Sequence, residues 1–177
     1  INSAGNIDEI IAILGDSNSS NIVLDVNELR NLALAQSTNL AGTDPVLLYS
    51  GIVHDVETVE IAPNIANVKI IDNTDAGQLV ASNSFRNAVL EASGGDLNAR
   101  DTFLYSKDAG GGNAGLWHDL SESFINNNAT GDVRTITPFT NSTSVFAQTE
   151  IPALLDNPNV TSINGLNKID LPVGNEI

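Results

Sequence analysis

The sequence predicts a single α/β domain: an N-terminal helical layer, then a short, mostly parallel sheet flanked by helices. Three observations lead there. Apolar residues recur at helical spacing through residues 3 to about 41. Short, nearly all-apolar runs follow, of the kind carried by strands buried on both faces. Stretches with helical periodicity then alternate with such runs, which is the pattern of an α/β domain. The 177 residues suit one domain, with the helical part over 1–44 and the α/β part over 45–177. A chain of this length buries roughly 70% of its unfolded surface.

The first helix is predicted around Ile7, Ile10, Ile11 and Leu14, and Gly15-Asp16-Ser17-Asn18 stops it. A second covers Val26 to Gln36, with Leu29, Leu32 and Leu34 inside and Gly42-Thr43-Asp44-Pro45 closing the layer. Val46 to Gly51 reads as a buried strand, and Val68 to Asp72 as another. Ala76 to Ala92 reads as one helix ended by Gly94-Gly95, and Leu104-Tyr105-Ser106 as a strand tip. Leu116 to Asn127 is helical, with Leu116, Leu120 and Phe124 at four-residue steps. Asp132 to Phe139 and Ser144 to Ala147 have β character, and Val160 to Ile163 is a late strand.

Charge bounds the partners. Asp and Glu number 22 against 7 Lys and Arg, a formal net charge of −15. Nucleic acid is excluded as a partner, because that affinity rests on Lys and Arg displacing counterions from phosphates. Anionic lipid is disfavoured for the same reason. The acidity is spread along the chain, as on a solubilising surface, or as on a docking face for a basic partner. No apolar run approaches the ~20 residues of a membrane span. Without Cys there is no disulfide, thiolate nucleophile or Cys-type zinc site. With no initiator Met and no basic segment before an apolar run, the chain reads as a mature or excised domain.

Most chemical signatures are missing. Gly110-Gly111-Gly112 lacks the Lys-Ser/Thr of a phosphate loop and reads as a flexible connector. His54 and His118 are far apart without ligand spacing, so no metal site is expected, and His118 reads as solvated. No Ser sits in a nucleophile elbow, and no acidic run has the EF-hand pattern. What remains is Trp117, which opens a helix after a glycine-rich loop, and Ser121 one turn on, on the same face. Glu150 stands just before the apolar, Pro-containing run Ile151 to Leu155, where a carboxylate becomes partly buried. Buried acids are rare without a partner or a task.

These residues fall in a familiar order. Leu116-Trp117-His118-Asp119-Leu120-Ser121-Glu122-Ser123-Phe124, then Gly131-Asp132-Val133, then Ser144-Val145-Phe146 leading to Glu150, resembles the ADP-ribosyl cyclase / NAD glycohydrolase family. Members carry a Trp-x-x-x-Ser-x-x-Phe helix, a strand, a Phe and, four residues later, the catalytic Glu. Leu47-Leu48-Tyr49-Ser50 is similar to the family's strand ending in an aromatic-Ser pair, with Tyr49 in place of Trp. Asp72-Asn73-Thr74 takes the place of a Glu-Asp-Thr segment, one methylene shorter at Asp72. The likeness covers residues 45 to 165. Gly51 stands where animal members have an Arg, and their disulfides are missing, so Cys-free bacterial toxin domains are the nearer comparison.

The resemblance implies an ADP-ribosyl cyclase-like fold and cleavage of NAD(+) to nicotinamide and ADP-ribose, with cyclic ADP-ribose as a lesser product. In that reading Glu150 is catalytic, stabilising the oxocarbenium-like ribose. Trp117 and Tyr49 sandwich nicotinamide and ribose, Ser121 bonds a ribose hydroxyl or phosphate, and Asp72 holds the carboxamide. Phe146 belongs to the same substrate-binding set. Ser50 and Ser144 offer backbone N–H groups and hydroxyls to the dinucleotide. No cofactor or metal is implied, since NAD is the substrate. The resemblance also implies a toxin domain, secreted or delivered into a target-cell cytoplasm and neutralised by a cognate immunity protein. The rival reading is a non-catalytic secreted surface or adhesion module, suggested by the Asn- and Thr-rich composition. A second rival is a cyclase making a signalling nucleotide.

Overall fold

In the computed structural model, residues 7–16, 24–53, 56–137 and 141–170 are described. Along the chain, helices α1 (Ile7–Gly15) and α2 (Val26–Leu34) precede β1 (Leu47–Tyr49). Strands β2 (Ile52–Val53) and β3 (Val56–Glu57) pair antiparallel and lead into the short α3 (Thr58–Ile61). After a 3-10 turn at Ile71–Asn73 come α4 (Asp75–Ala81), α5 (Asn83–Ala92), α6 (Leu97–Tyr105) and α7 (Leu116–Asn128). Then follow β4 (Gly131–Ile136), a π-helical turn at Phe146–Glu150, α8 (Ile151–Asp156), β5 (Val160–Ile163) and β6 (Leu166–Asn167). The chain is thus a mixed α/β protein.

It folds as two compact units, each assembled from two stretches. One comprises residues 1–39 and 71–121, the other 40–70 and 122–177. The sequence places a boundary at residue 44; the units instead return α4 to α6 to the N-terminal helices.

Among its described residues the first unit is built of helices and turns, and several helix starts are written locally. Asp25 accepts from the N–H groups of Asn27 and Glu28, while Glu28 accepts from the Asp25 N–H, closing a capping box. Thr74 caps α4 by accepting from Gly77 N, and Asp96 caps α6 by accepting from Asn98 N and Ala99 N. Its core is Leu29, Ala33, Leu79, Val80, Phe85, Val89, Leu104 and Leu116, all buried. Leu34, expected inside, is 43% exposed, since it falls one position past the buried stripe Leu29-Ala33.

The helix expected over Ala76 to Ala92 is two helices. Ser82 is extended (φ −65°, ψ 143°), its Oγ donates to Leu79 O, and it accepts from Phe85 N. One hydroxyl so ends α4 and caps α5, a cap worth about 1 kcal/mol, and full burial of Phe85 adds roughly 2 kcal/mol. The Gly94-Gly95 stop holds: Gly94 N donates to Glu91 O and Gly95 N to Leu90 O, a Schellman closure with Gly94 at φ 68°. The strand tip expected at Leu104-Tyr105-Ser106 is the last turn of α6, because the Asp96 cap commits the segment to helix.

The second unit carries a four-stranded sheet in the order β1-β4-β5-β6. β1/β4 and β4/β5 are parallel, and β5/β6 is an antiparallel hairpin. The buried strand expected over Val46 to Gly51 is β1, with Val46, Leu47 and Leu48 at 3% exposure or less. The strand expected over Val68 to Asp72 reduces to one parallel bridge from Lys69 to Val46, as the chain turns at Ile71 into the 3-10 turn. β4 ends at Ile136, and Phe139 lies outside the described residues. The β character expected at Ser144 to Ala147 is overturned: Ser144 Oγ accepts from Ala147 N and caps a helical turn. The predicted strand Val160 to Ile163 is β5.

Candidate active site

The carboxyl ends of β1 and β4 lie side by side, Tyr49 opposite Ile136, and Ser50 N donates to Ile136 O at 3.0 Å. Tyr49 and Ile136 pack on the cluster of Leu47, Ala62 and Ile70. β1 also packs against the π-helical turn, which carries Phe146 and Glu150, both buried at 6% and 8% exposure.

Sequence chemistry explains that turn. Ile151 N–H donates to the carbonyl of Phe146, five residues back. Pro152 follows, with no N–H for the Gln148 carbonyl and a ring that would strike it in a regular helix. Widening the turn relieves the clash, and such turns recur at functional sites. The far end of α8 is tied down: Lys168 Nζ donates to Asn157 O at 2.6 Å and to Leu154 O at 3.3 Å. Asn157 Nδ2 donates to the Ile125 and Ala129 carbonyls. Glu150 therefore sits on a fixed element that packs against β1, in the unit that carries the parallel strands.

Ser144 and Ser50 need a correction. The N–H of Ser50 is engaged by Ile136 O and that of Ser144 by Asn141 O, while Ser144 Oγ accepts from Ala147 N. Neither amide is available to an anion: that of Ser50 extends the β1–β4 ladder, and that of Ser144 closes a turn on Asn141.

Asp72, Trp117 and Ser121 belong to the other unit. Asp72 sits in the 3-10 turn, fixed by Thr74, whose Oγ1 donates to Ile71 O at 2.7 Å. Its Oδ2 is buried with no hydrogen-bond partner among the described residues. Burial pushes its carboxyl above the ordinary value of 3.8, partly offset by its own backbone N–H. Trp117 and Ser121 lie one turn apart on α7, as expected, Trp117 half-buried and Ser121 at 3% exposure. The start of α7 is locked by Gly115, whose N–H donates to Ser106 O. A Cβ at Gly115 would come within 2.7 Å of that carbonyl. Arg30 holds the same turn through the Asp119 carboxylate and Ala114 O.

His118 reverses its expectation. It is 1% exposed, and its Nε2 bonds the Tyr105 carbonyl at 2.9 Å. Burial holds the imidazole below 6.5, the Lys107 ammonium acting the same way, against the Tyr105 carbonyl and the Asp119 carboxylate. Ser121 and Ile125, three and seven residues on, are buried with it, and of these only Ile125 could have signalled that face from the sequence. The loop at Gly110-Gly111-Gly112 is an ordered turn, with Ala109 N donating to Asn113 O and Asn113 N to Gly110 O. His54 lies outside the described residues.

Comparison with family models, curated proteins and solved structures finds no match. The chemistry of the site therefore rests on its own residues. Among the described residues, no group of three or more His, Cys, Asp or Glu is placed to hold a metal ion. No helix among them is long and apolar enough to cross a membrane. The sheet-bearing unit holds a buried carboxylate at Glu150 and a ring at Phe146 on the turn that packs against β1, the strand that ends in Tyr49. That set suits stabilising a developing cation while excluding water.

Proposed function

We propose that this protein cleaves the nicotinamide–ribose bond of NAD(+), giving nicotinamide and ADP-ribose, with cyclic ADP-ribose as a lesser product. The observation that carries the reading is Glu150, a buried carboxylate on a π-helical turn packed against β1. In this reading the fold is that of the ADP-ribosyl cyclases.

The bond that breaks is C1′–N, and its electron pair leaves with nicotinamide. The pyridinium already carries the positive charge, so the leaving group departs neutral without an acid. C1′ is left as an oxocarbenium-like centre, which the Glu150 carboxylate stabilises at close range in a dry site. Water then adds to C1′ and loses a proton; attack by the adenine ring instead gives the cyclic product. Tyr49 and Phe146 shield the ribose from bulk solvent. The roles of Asp72, Trp117 and Ser121 are carried by the resemblance.

The same resemblance supports a toxin domain, secreted or delivered into a target cell and countered by an immunity protein. Incubating purified protein with NAD(+) and quantifying nicotinamide tests the activity. Release at a rate set by enzyme concentration supports it. No release leaves the non-catalytic surface module as the reading.

A further inference from the structure

We propose that Arg134 is the residue that holds the pyrophosphate of the dinucleotide, an assignment that rests on the NAD(+) reading and deepens it. The problem it solves is physical. A dianionic pyrophosphate must be held by a chain of net charge −15, and the amides of Ser50 and Ser144 are engaged within the fold.

All seven Lys and Arg of the sequence lie among the described residues, and most have other tasks. Arg30 is buried against Asp119 and Ala114 O. Arg86 donates to the Tyr105 hydroxyl, and Arg100 pairs with Asp101. Lys168 binds the carbonyls that end α8. Lys69 is buried, at 9% exposure, on the segment that bridges Val46, so its ammonium is not open to an incoming dinucleotide. Lys107 lies between α6 and α7, in the helical unit. Arg134 alone of the guanidinium groups makes no ion pair or side-chain hydrogen bond among the described residues.

Its position gives the reason. Arg134 pairs in register with Leu47, and Ile136 with Tyr49, so Arg134 and Ile136 project from the face that carries Tyr49. Two strand residues separate their Cα atoms by about 6.6 Å, within the span of an arginine side chain. Asp132, on the same face of β4, does not neutralise it. That carboxylate accepts from Ser162 Oγ at 2.6 Å and Gly165 N at 2.8 Å, which turns it toward the β5–β6 hairpin. The result is an exposed guanidinium on the Tyr49 face with no ion pair among the described residues, and its planar fork matches phosphate oxygens two at a time.

Steady-state nicotinamide release by wild type, Arg134→Gln, Arg134→Lys and Arg100→Gln tests this. Arg134→Gln is expected to raise the KM for NAD(+) about tenfold or more with kcat within twofold. Its Ki for ADP-ribose rises in parallel, and its Ki for nicotinamide, which has no phosphate, is unchanged. Arg134→Lys recovers part of the loss, and Arg100→Gln behaves as wild type. An unchanged ADP-ribose Ki in Arg134→Gln overturns the assignment, as does an equal rise in both Ki values. If wild type releases no nicotinamide, the NAD(+) reading itself falls and takes this assignment with it.

Discussion

The two units are held together by different means. In the helical unit, helix starts are closed within a few residues, by Asp25, Thr74, Ser82 and Asp96 from the adjoining sequence, with Arg30 the long-range exception. In the sheet unit the corresponding bonds reach across the chain. Leu47 pairs with Arg134, Leu40 N donates to Asn128 Oδ1, and Asn157 serves Ile125 and Ala129. A local cap is one bond that water can replace, whereas a buried cross-chain amide leaves several orphaned groups when removed. The carboxylate assigned to catalysis stands in the second kind of surroundings, where geometry is set from several directions at once.

The largest expected effect sharpens that contrast at Glu150. Glu150→Gln keeps the shape and removes the charge, so NAD(+) cleavage is expected to fall about 10²–10³-fold. The melting temperature should stay near wild type. A destabilised variant with full turnover per folded molecule shows instead that Glu150 is a structural acid.

Next come two amide and cap deletions meant to be read together. Asn157→Ala removes bonds to the Ile125 and Ala129 carbonyls and to Asn159 N, and is expected to cost about 2–3 kcal/mol in denaturant unfolding. Asp96→Ala removes one exposed cap and is expected to cost about 1 kcal/mol. Equal losses erase the distinction between the units. Trp117→Ala, on the α7 turn locked by Gly115, is expected to lower NAD(+) cleavage about tenfold or more. A folded, fully active variant makes Trp117 a packing residue only.

The smallest effect is a pH slope. Folding lowers the proton affinity of His118, so the unfolded chain binds that proton more readily. Its contribution to stability is intact above 6.5 and is lost as pH falls from 6.5 toward the lowered folded value. His118→Phe should therefore lose less melting temperature than wild type between about pH 7 and pH 5. Parallel curves for the two proteins would place the titration elsewhere.

The same contrast decides what was legible in the residues alone. Apolar periodicity located α1, α2 and α7, β1 announced itself as a buried run, and Gly94 marked the end of α5. The misses are places where a polar side chain overrode the apolar pattern. Ser82 split a helix, and Asp96 drew an apparent strand tip into α6. The Ser144 cap and Pro152 turned a β-like stretch into a π-helical turn, while the burial of Glu150 follows from its place before an apolar run. Asp72 was located, but its strand was not, because Lys69 finds its partner in Val46 only through the fold. His118 was misjudged because polar Ser121 on its stripe hides that this face is buried, leaving Ile125 the one apolar sign.

The hairpin between β5 and β6 bears on how the protein ages. Asn164 and Gly165, at φ 51° and 78°, make its two-residue turn. An Asn followed by Gly is chemically fragile, because the next backbone nitrogen can attack the side-chain carbonyl and expel ammonia. Here Gly165 N is held by the Asp132 carboxylate at 2.8 Å. The Asn164 amide is held at both ends, Oδ1 by Thr135 N and Nδ2 by Thr135 Oγ1, each at 2.8 Å. The attacking atom and its target are thus pinned apart, and ring closure waits for the hairpin to open. Deamidation at Asn164 becomes a covalent record of how often this edge of the sheet has come undone.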